Sequence, residues 1–284
     1  VVPVEVVSEK AEYAARTMRP KIHRHLESYL VALKQTRVKH PSMGLKVKGI
    51  ELDGTEALLR KRSLDRSVPP VSDWFKGGTS RALKRFDGFI RHRLTYYDEH
   101  SNQPQTNDIS HMSPYLHFGQ ISPLQLALKI SRIPDSLGAA KDAFIEQLVV
   151  RRELAMHFAY YTSNYDAYEC IPGWAQKTLD DHRQDKREYI YSPRQLENAG
   201  THDPYWNASM LEMKHTGFMH NYMRMYWGKK ILEWSSIPQK AFRTTLDINN
   251  KYFLDGRDPN SYTGVAWIYG VHDRAWTERP IFGK

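Results

Sequence analysis

His111-Met112-Ser113-Pro114-Tyr115-Leu116-His117-Phe118-Gly119-Gln120-Ile121-Ser122-Pro123 carries Ser-Pro twice, nine residues apart, each time directly before apolar-periodic sequence. Serine is a strong helix N-cap, and proline is preorganised for the first helical position, where its missing N–H is not needed. The spacing therefore predicts two helix starts close together, with unpaired backbone N–H groups and the hydroxyls of Ser110 and Ser113 in one small region. Such a region suits a phosphate or pyrophosphate, and two ordinary capped helices are the plain alternative.

The chain has 284 residues, enough for one large domain or two modest ones with a real core. With 40% hydrophobic residues, it reads as a folded globular chain and not a disordered one. No apolar run approaches the length of a bilayer span, so no membrane partner is expected. Cys170 is the only cysteine, which excludes an internal disulfide and a cysteine-based zinc site and fits a reducing compartment. The net charge of +9 favours a polyanionic partner. Seven Trp, seventeen Tyr and ten Phe suit stacking on unpaired bases, but the same residues suit any large helical core.

Val1 to Val7 is dominated by β-branched residues and predicts a short buried strand. One strand needs pairing partners, and nothing nearby supplies them, so the chain is expected to continue a larger α/β layer. An amphipathic helix is predicted from Pro20 to Val38, followed over 40–72 by a Gly- and Pro-rich linker with a short helix near Thr55–Leu64. From Gly77 onward the periodicity is helical: Arg81–Tyr97, Pro123–Ile133, Ala139–Thr162, Pro193–Gly200 and Ala208–Trp234. The expected organisation is thus the end of an α/β domain at 1–38, an interdomain linker at 39–76 and a mainly α, all-helical domain at 77–284.

Trp227 and Trp234 lie seven residues apart inside Ala208–Trp234, which on one helix puts them on one face at about 10.5 Å along the axis. Trp206 precedes that helix, and Met210, Met213, Met219, Met223 and Met225 make it apolar nearly all round, as expected at the centre of a bundle. Core packing alone would account for a tryptophan pair at this spacing.

Several strings in order carry more than periodicity. Ser113-Pro114-Tyr115-Leu116-His117-Phe118-Gly119-Gln120-Ile121-Ser122 resembles the element with which photolyases and cryptochromes hold the diphosphate of FAD. Thr201-His202-Asp203-Pro204-Tyr205-Trp206-Asn207-Ala208, Met223-Arg224-Met225-Tyr226-Trp227, Lys229-Lys230-Ile231-Leu232-Glu233-Trp234, Leu254-Asp255-Gly256-Arg257-Asp258-Pro259-Asn260 and Val271-His272-Asp273-Arg274-Ala275-Trp276 follow. Together they resemble class II cyclobutane pyrimidine dimer photolyases along residues 1–284.

The resemblance implies an all-helical FAD-binding domain behind the remnant of an N-terminal antenna domain, whose pigment would lie outside this sequence. It implies cofactor contacts from Tyr97, Ser110, Met112, Ser113, Leu116, Arg152, Glu153, Arg224 and Asp255, with Asn249 facing the flavin N5. It implies an electron relay of Trp206, Trp227 and Trp234, and a lesion pocket walled by Met225, Trp267 and Trp276, with Asn102, Glu146 and Gln147 as polar contacts. The chain departs from the family pattern at Gln147, where a carboxyl is usual, at Ser101, where an Arg is usual, and in a loop from Trp267 to His272 that is one residue shorter.

The activity this implies is light-driven repair of pyrimidine dimers in DNA, with reduced FAD as electron donor, by an intracellular, DNA-associated monomer without metal. A cryptochrome-type flavin photoreceptor that signals without repair is the competing expectation. A flavin-free helical nucleic-acid-binding module is the third, and it would leave Ser113 and Asn249 without a role. His-Glu-x-x-His, Walker, Gly-x-Ser-x-Gly and Gly-x-Gly-x-x-Gly signatures are all absent.

Overall fold

Recurrent apolar residues at helical spacing and frequent Pro and Asp at helix starts shape the computed structural model, which describes residues 1–34, 36–49 and 54–284. The helices are α1 (Val4–Val7), α2 (Ala15–Tyr29), α3 (Thr55–Arg60), α4 (Thr79–His92), α5 (Tyr97–His100), α6 (Ser113–His117), α7 (Pro123–Ser131) and α8 (Gly138–Ile145). A wide π turn, Glu146–Arg151, joins α8 to α9 (Arg152–Tyr161). Then come α10 (Gly173–Asp181), α11 (Pro193–Glu197), α12 (Pro204–Thr216), α13 (Asn221–Glu233), α14 (Pro238–Tyr252) and α15 (Pro259–Ile268). Among the described residues there is no strand, only an isolated bridge between Arg279 and Gly283. None of the described helices is long and apolar enough to cross a membrane.

Three expectations are corrected. Val1–Val7 contains no strand: Val4–Val7 form one helical turn after Pro3, and Val2 and Val7 are buried with Met18, Ile22 and Phe86. Those valines found helical neighbours to bury against, so β-branching did not decide their conformation. The second helix runs from Ala15 to Tyr29, with Pro20 inside it, and not from Pro20 to Val38. Beyond Tyr29 the apolar residues have nothing to pack on: Leu33 is 84% and Val38 77% exposed. Gln35 of that expected helix, and residues 50–53 of the expected linker, lie outside the described residues.

The third correction concerns Ala208–Trp234, which is two helices. α12 ends at Gly217 in the left-handed conformation (φ 68°), and α13 starts at Asn221 behind His220, whose Nδ1 accepts from the Tyr222 N–H at 3.2 Å. A C-terminal glycine of this kind is a helix stop that apolar periodicity hides. The side chain of Leu254 fills the space over Gly217, so an added Cβ would meet Leu254 Cγ at 2.6 Å.

Two apolar cores result. One gathers Met18, Ile22, Phe86, Phe89, Leu126, Ile130, Phe144 and Leu154 from α2, α4, α7, α8 and α9. The other gathers Trp206, Met210, Met213, Trp227, Ile231, Trp234, Phe242 and Leu246 from α12, α13 and α14. α15 packs along α9 and so ties the two together.

Gly217→Ala meets both a positive φ and an occupied space. It is expected to lower stability by about 1–3 kcal/mol, read as a fall in thermal midpoint by circular dichroism. An unchanged midpoint would show that Leu254 does not pin this turn.

Candidate functional site

A cavity of about 300 Å³ opens where the two cores meet, within the range of small-molecule sites. Tyr97, Met112, Phe144 and Leu148 of the first core and Met219 of the second line it. One wall is the Ser-Pro segment, with Ser110, His111, Met112, Ser113 and Leu116. His111 has φ 54°, uncommon for a residue with a Cβ, and this turn carries the chain into α6. Ser113 is the first residue of α6 and Met112 occupies its N-cap, so the expected serine cap moves by one position. Ser122 does occupy the N-cap of α7, without a side-chain cap bond. Because α6 has only five residues, its dipole is weak, and attraction for an anion falls to Arg152 and Arg224.

Those arginines stand on the facing walls. Arg152 opens α9 and lies 3.6 Å from Asp258, which also faces His117 at 3.5 Å. Arg224 Nη2 donates to Asp255 Oδ2 at 3.1 Å and Nε donates to the Met219 carbonyl at 3.1 Å, with the guanidinium 3.8 Å above the Phe253 ring. Asp255, Asp258, Asn260 and Ser261 complete that side. Asn249 is buried behind this wall. Its amide donates to Ser261 Oγ at 2.8 Å and its carbonyl accepts from the same hydroxyl at 3.1 Å, so it sits one residue behind the lining.

Two histidines flank the cavity with buried nitrogens that no protein group meets, His111 Nδ1 and His220 Nε2. Buried polar atoms of this kind normally have a partner, so the wall is built for a polar guest. Burial, reinforced by nearby Arg85 and Arg93, pushes the His111 imidazole down to about 4. Burial and then Arg224 push His220 down as well. Both rings are thereby held neutral.

The residues nominated from sequence divide clearly. Tyr97, Asn102, Ser110, Met112, Ser113, Leu116, Gln147, Arg152, Arg224 and Asp255 all line this one cavity. Glu146 does not: Arg19 donates to it twice, at 2.9 and 2.8 Å, and Arg151 once at 3.3 Å. Glu153 is buried and does not line the cavity. Met225 packs on the tryptophan core, Trp267 lies under the Arg151 guanidinium at 5.4 Å, and neither lines the cavity. Trp276 is 59% exposed, hydrogen-bonded to Asp273 at 3.0 Å, and borders a separate small cleft.

The three relay candidates are fully buried. Trp206 and Trp234 meet edge to face at 5.5 Å, and Trp206 Nε1 donates to the Trp227 carbonyl at 3.0 Å. Trp227 in turn meets Phe253 at 6.2 Å, the ring beneath Arg224. Trp206 thus meets Trp234 ring to ring and Trp227 through its backbone carbonyl, an arrangement the one-helix reading did not anticipate. Outward, Trp234 contacts Tyr191 and His202, and His202 stacks on Tyr189 at 3.8 Å.

Sequence reasoning missed Phe218, His220, Asn221, Asp258, Asn260 and Ser261 as lining residues. Asp258-Pro259 carried a legible signal, since Asp258 caps α15 through the Asn260 N–H at 2.9 Å. The hairpin after Gly217 gave none, because it exists only once the long helix is broken. Among the described residues no group of three or more His, Cys, Asp or Glu is arranged to hold a metal ion.

No family model matches the chain. It is 51% identical over its whole length to the deoxyribodipyrimidine photo-lyase of Methanothermobacter thermautotrophicus, covering 61% of that protein. It is 45% identical to the deoxyribodipyrimidine photo-lyase of Oryza sativa subsp. japonica, again over the whole chain and 57% of the relative. The chain belongs to the photolyase/cryptochrome family. It spans about six-tenths of the length of the curated relatives it matches. Solved structures share the fold: a class III photolyase from Agrobacterium tumefaciens (TM-score 0.61, 20% identity, 76% of this chain, 44% of that one) and the Synechocystis cryptochrome (TM-score 0.60, 17% identity, 95% and 54%).

Removing one partner of the Arg224–Asp255 pair leaves a largely buried charge alone. Arg224→Met or Asp255→Ala is expected to cost about 3–5 kcal/mol, and the double variant less than the sum, measured by urea unfolding. The histidines set a pH dependence. Because His111 is depressed in the folded state, the unfolded chain binds more protons between 6.5 and about 4, so stability is full above 6.5 and falls as pH drops through that window. His111→Asn, which tolerates the positive φ, is expected to flatten this slope; an unaltered slope would assign it to other groups.

Proposed function

We propose that the cavity holds FAD non-covalently and that the chain carries the catalytic part of a light-driven enzyme that splits cyclobutane pyrimidine dimers in DNA, of the class II type. The single observation that carries this reading is the convergence of ten sequence-nominated residues, from Tyr97 to Asp255, on one cavity. The fit to the cofactor rests on the lining itself: two arginines and two serine hydroxyls for a diphosphate, apolar Met112, Leu116 and Phe144 for rings, and histidine nitrogens awaiting partners.

Bound FAD in its reduced form supplies the excitable electron donor. The protein's own part is to bind, orient and insulate. Ser110 and Ser113 donate hydrogen bonds to anionic oxygens, and Arg152 and Arg224 balance their charge while Asp258 and Asp255 keep the guanidinia fixed. Asn249, locked by Ser261, presents a carboxamide that is oriented but cannot gain or lose a proton. Gln147 at the cavity can donate an amide hydrogen bond to a pyrimidine carbonyl, while Glu146 is committed to Arg19. The dimer must leave the duplex stack to reach such a cavity. The indoles of Trp206 and Trp234 lead by ring contacts through the second core to the surface pair His202 and Tyr189, and Trp227 adjoins Trp206 through its backbone carbonyl; these three are the relay of this reading.

A signalling photoreceptor of cryptochrome type remains the competing reading, since the Synechocystis cryptochrome shares the fold over 95% of this chain. Illumination of the flavin-loaded, prereduced protein with a dimer-containing oligonucleotide separates the two: recovery of thymine absorbance supports repair, and its absence with flavin bound supports signalling. Ser113→Ala is expected to weaken flavin affinity by about 1.5–3 kcal/mol, measured by fluorescence titration. Trp227→Phe keeps most of the packing but gives a ring harder to oxidise. Light-driven loss of oxidised-flavin absorbance should slow sharply while repair by prereduced protein persists; unchanged kinetics would make these tryptophans core only.

A further inference from the structure

A second concavity lies beside the first core and shares no lining residue with the flavin-site cavity. Its walls are α4 and the segment before it: Lys76, Arg81, Lys84, Arg85, His92 and Arg93, with Asp73 the only acid. Phe89 and Tyr115 form its base, and Tyr97, which Phe89 meets edge to face at 5.7 Å, faces the other cavity. α4 turns Ala82, Phe86 and Phe89 into the core, and Arg81, Arg85, Gly88 and His92 follow on the flank of the helix beside that face. Arg81 to His92 spans eleven residues, about 16 Å of helix, a length that suits several successive phosphates and exceeds a single one.

Three observations distinguish this groove from a solvated basic face. Among the described residues no ion pair engages Lys76, Arg81, Lys84 or Arg93, although Asp87 on the same helix is taken by Lys129. Trp74, at one end, is 61% exposed, and its carbonyl is held by Arg85 Nη2 at 2.9 Å, which fixes the backbone that presents the indole. Gly88 lies in the middle of α4 and lines the groove, yet an added Cβ there would meet nothing within 4 Å. Glycine inside a helix is destabilising relative to alanine. Packing does not require it, and it leaves the groove floor open to a long side chain's worth of ligand.

We infer that this groove binds an unpaired nucleic-acid strand independently of any lesion, its phosphates along Arg81, Lys84 and Arg93 and a base stacked on Trp74. Extended cations select a polyanion, and an exposed indole selects a polyanion with bases that are not already paired. The inference stands apart from the flavin reading, because neither cavity uses the other's residues.

The test is fluorescence anisotropy of the whole chain with a short labelled oligothymidine, with the matching duplex and inorganic polyphosphate as competitors. Arg81→Glu/Lys84→Glu is expected to weaken oligothymidine binding at least about tenfold at low salt and to flatten the salt dependence by roughly 1.4 in log–log slope. Trp74→Ala is expected to weaken oligothymidine about tenfold but leave competition by polyphosphate unchanged. Gly88→Glu should abolish binding, while Gly88→Ala should bind nearly normally with a higher thermal midpoint, which separates obstruction from misfolding. Flavin affinity should be unchanged in all four. The inference is overturned if reversing Arg183 and Lys240, outside the groove, weakens oligothymidine as much as reversing Arg81 and Lys84. It is equally overturned if polyphosphate or duplex competes as well as oligothymidine and Trp74→Ala has no effect, or if Gln147→Ala at the other cavity abolishes the binding.

Discussion

The pairing of Arg224 with Asp255 over the Phe253 ring is the contact on which the rest of the candidate site turns. It joins α13 to the turn between α14 and α15 on one side of the cavity. A largely buried ion pair contributes little net stability, but either half alone is costly, so the two elements are fixed relative to each other. Asp258 three residues on then caps α15 and faces Arg152, and the wall from Asp255 to Ser261 follows from that position. Phe253 also meets Trp227, so the ring that carries the Arg224 guanidinium belongs to the tryptophan core.

Placing the cavity between two cores solves a packing problem. A close-packed helical core leaves little space of this size; where the two cores meet, about 300 Å³ stays open and polar residues line it while each core keeps its apolar interior. The seam has neutral imidazoles, paired guanidinia and hydroxyls, so its polarity comes with little unbalanced charge. Unbalanced positive charge is concentrated instead along α4.

Much of the fold was legible because helices declare themselves through period and caps. Residues 77–284 read as helical, and the Ser-Pro segment, the Arg at 152 and the Asp at 255 all emerged from local strings. What stayed hidden depended on distant partners. Val1–Val7 became helical because a helical core was available to bury its valines. The space over the break at Gly217 is filled by Leu254, thirty-seven positions later in the chain. The contacts of Trp206 with Trp234 and with the Trp227 carbonyl join α12 to α13 across that break, and Trp276 reads as a wall residue in the string but is held outward by Asp273 and Arg274.

The wide turn at Glu146–Arg151 has a consequence for how this segment tolerates change. In an ordinary α-helix, residues five apart point about 140° away from each other; in a π turn they come nearly into line. Two such pairs occur here, Glu146 with Arg151 at 3.3 Å and Gln147 with Arg152 on the cavity wall. The turn behaves like a skipped thread on a screw: everything before it is out of phase with everything after it. Deleting any one residue between 147 and 151 would give a more regular helix and a worse protein, since α8 or α9 would have to rotate its buried face out of the core. Side chains here can be exchanged one by one, but the number of residues is itself part of the design.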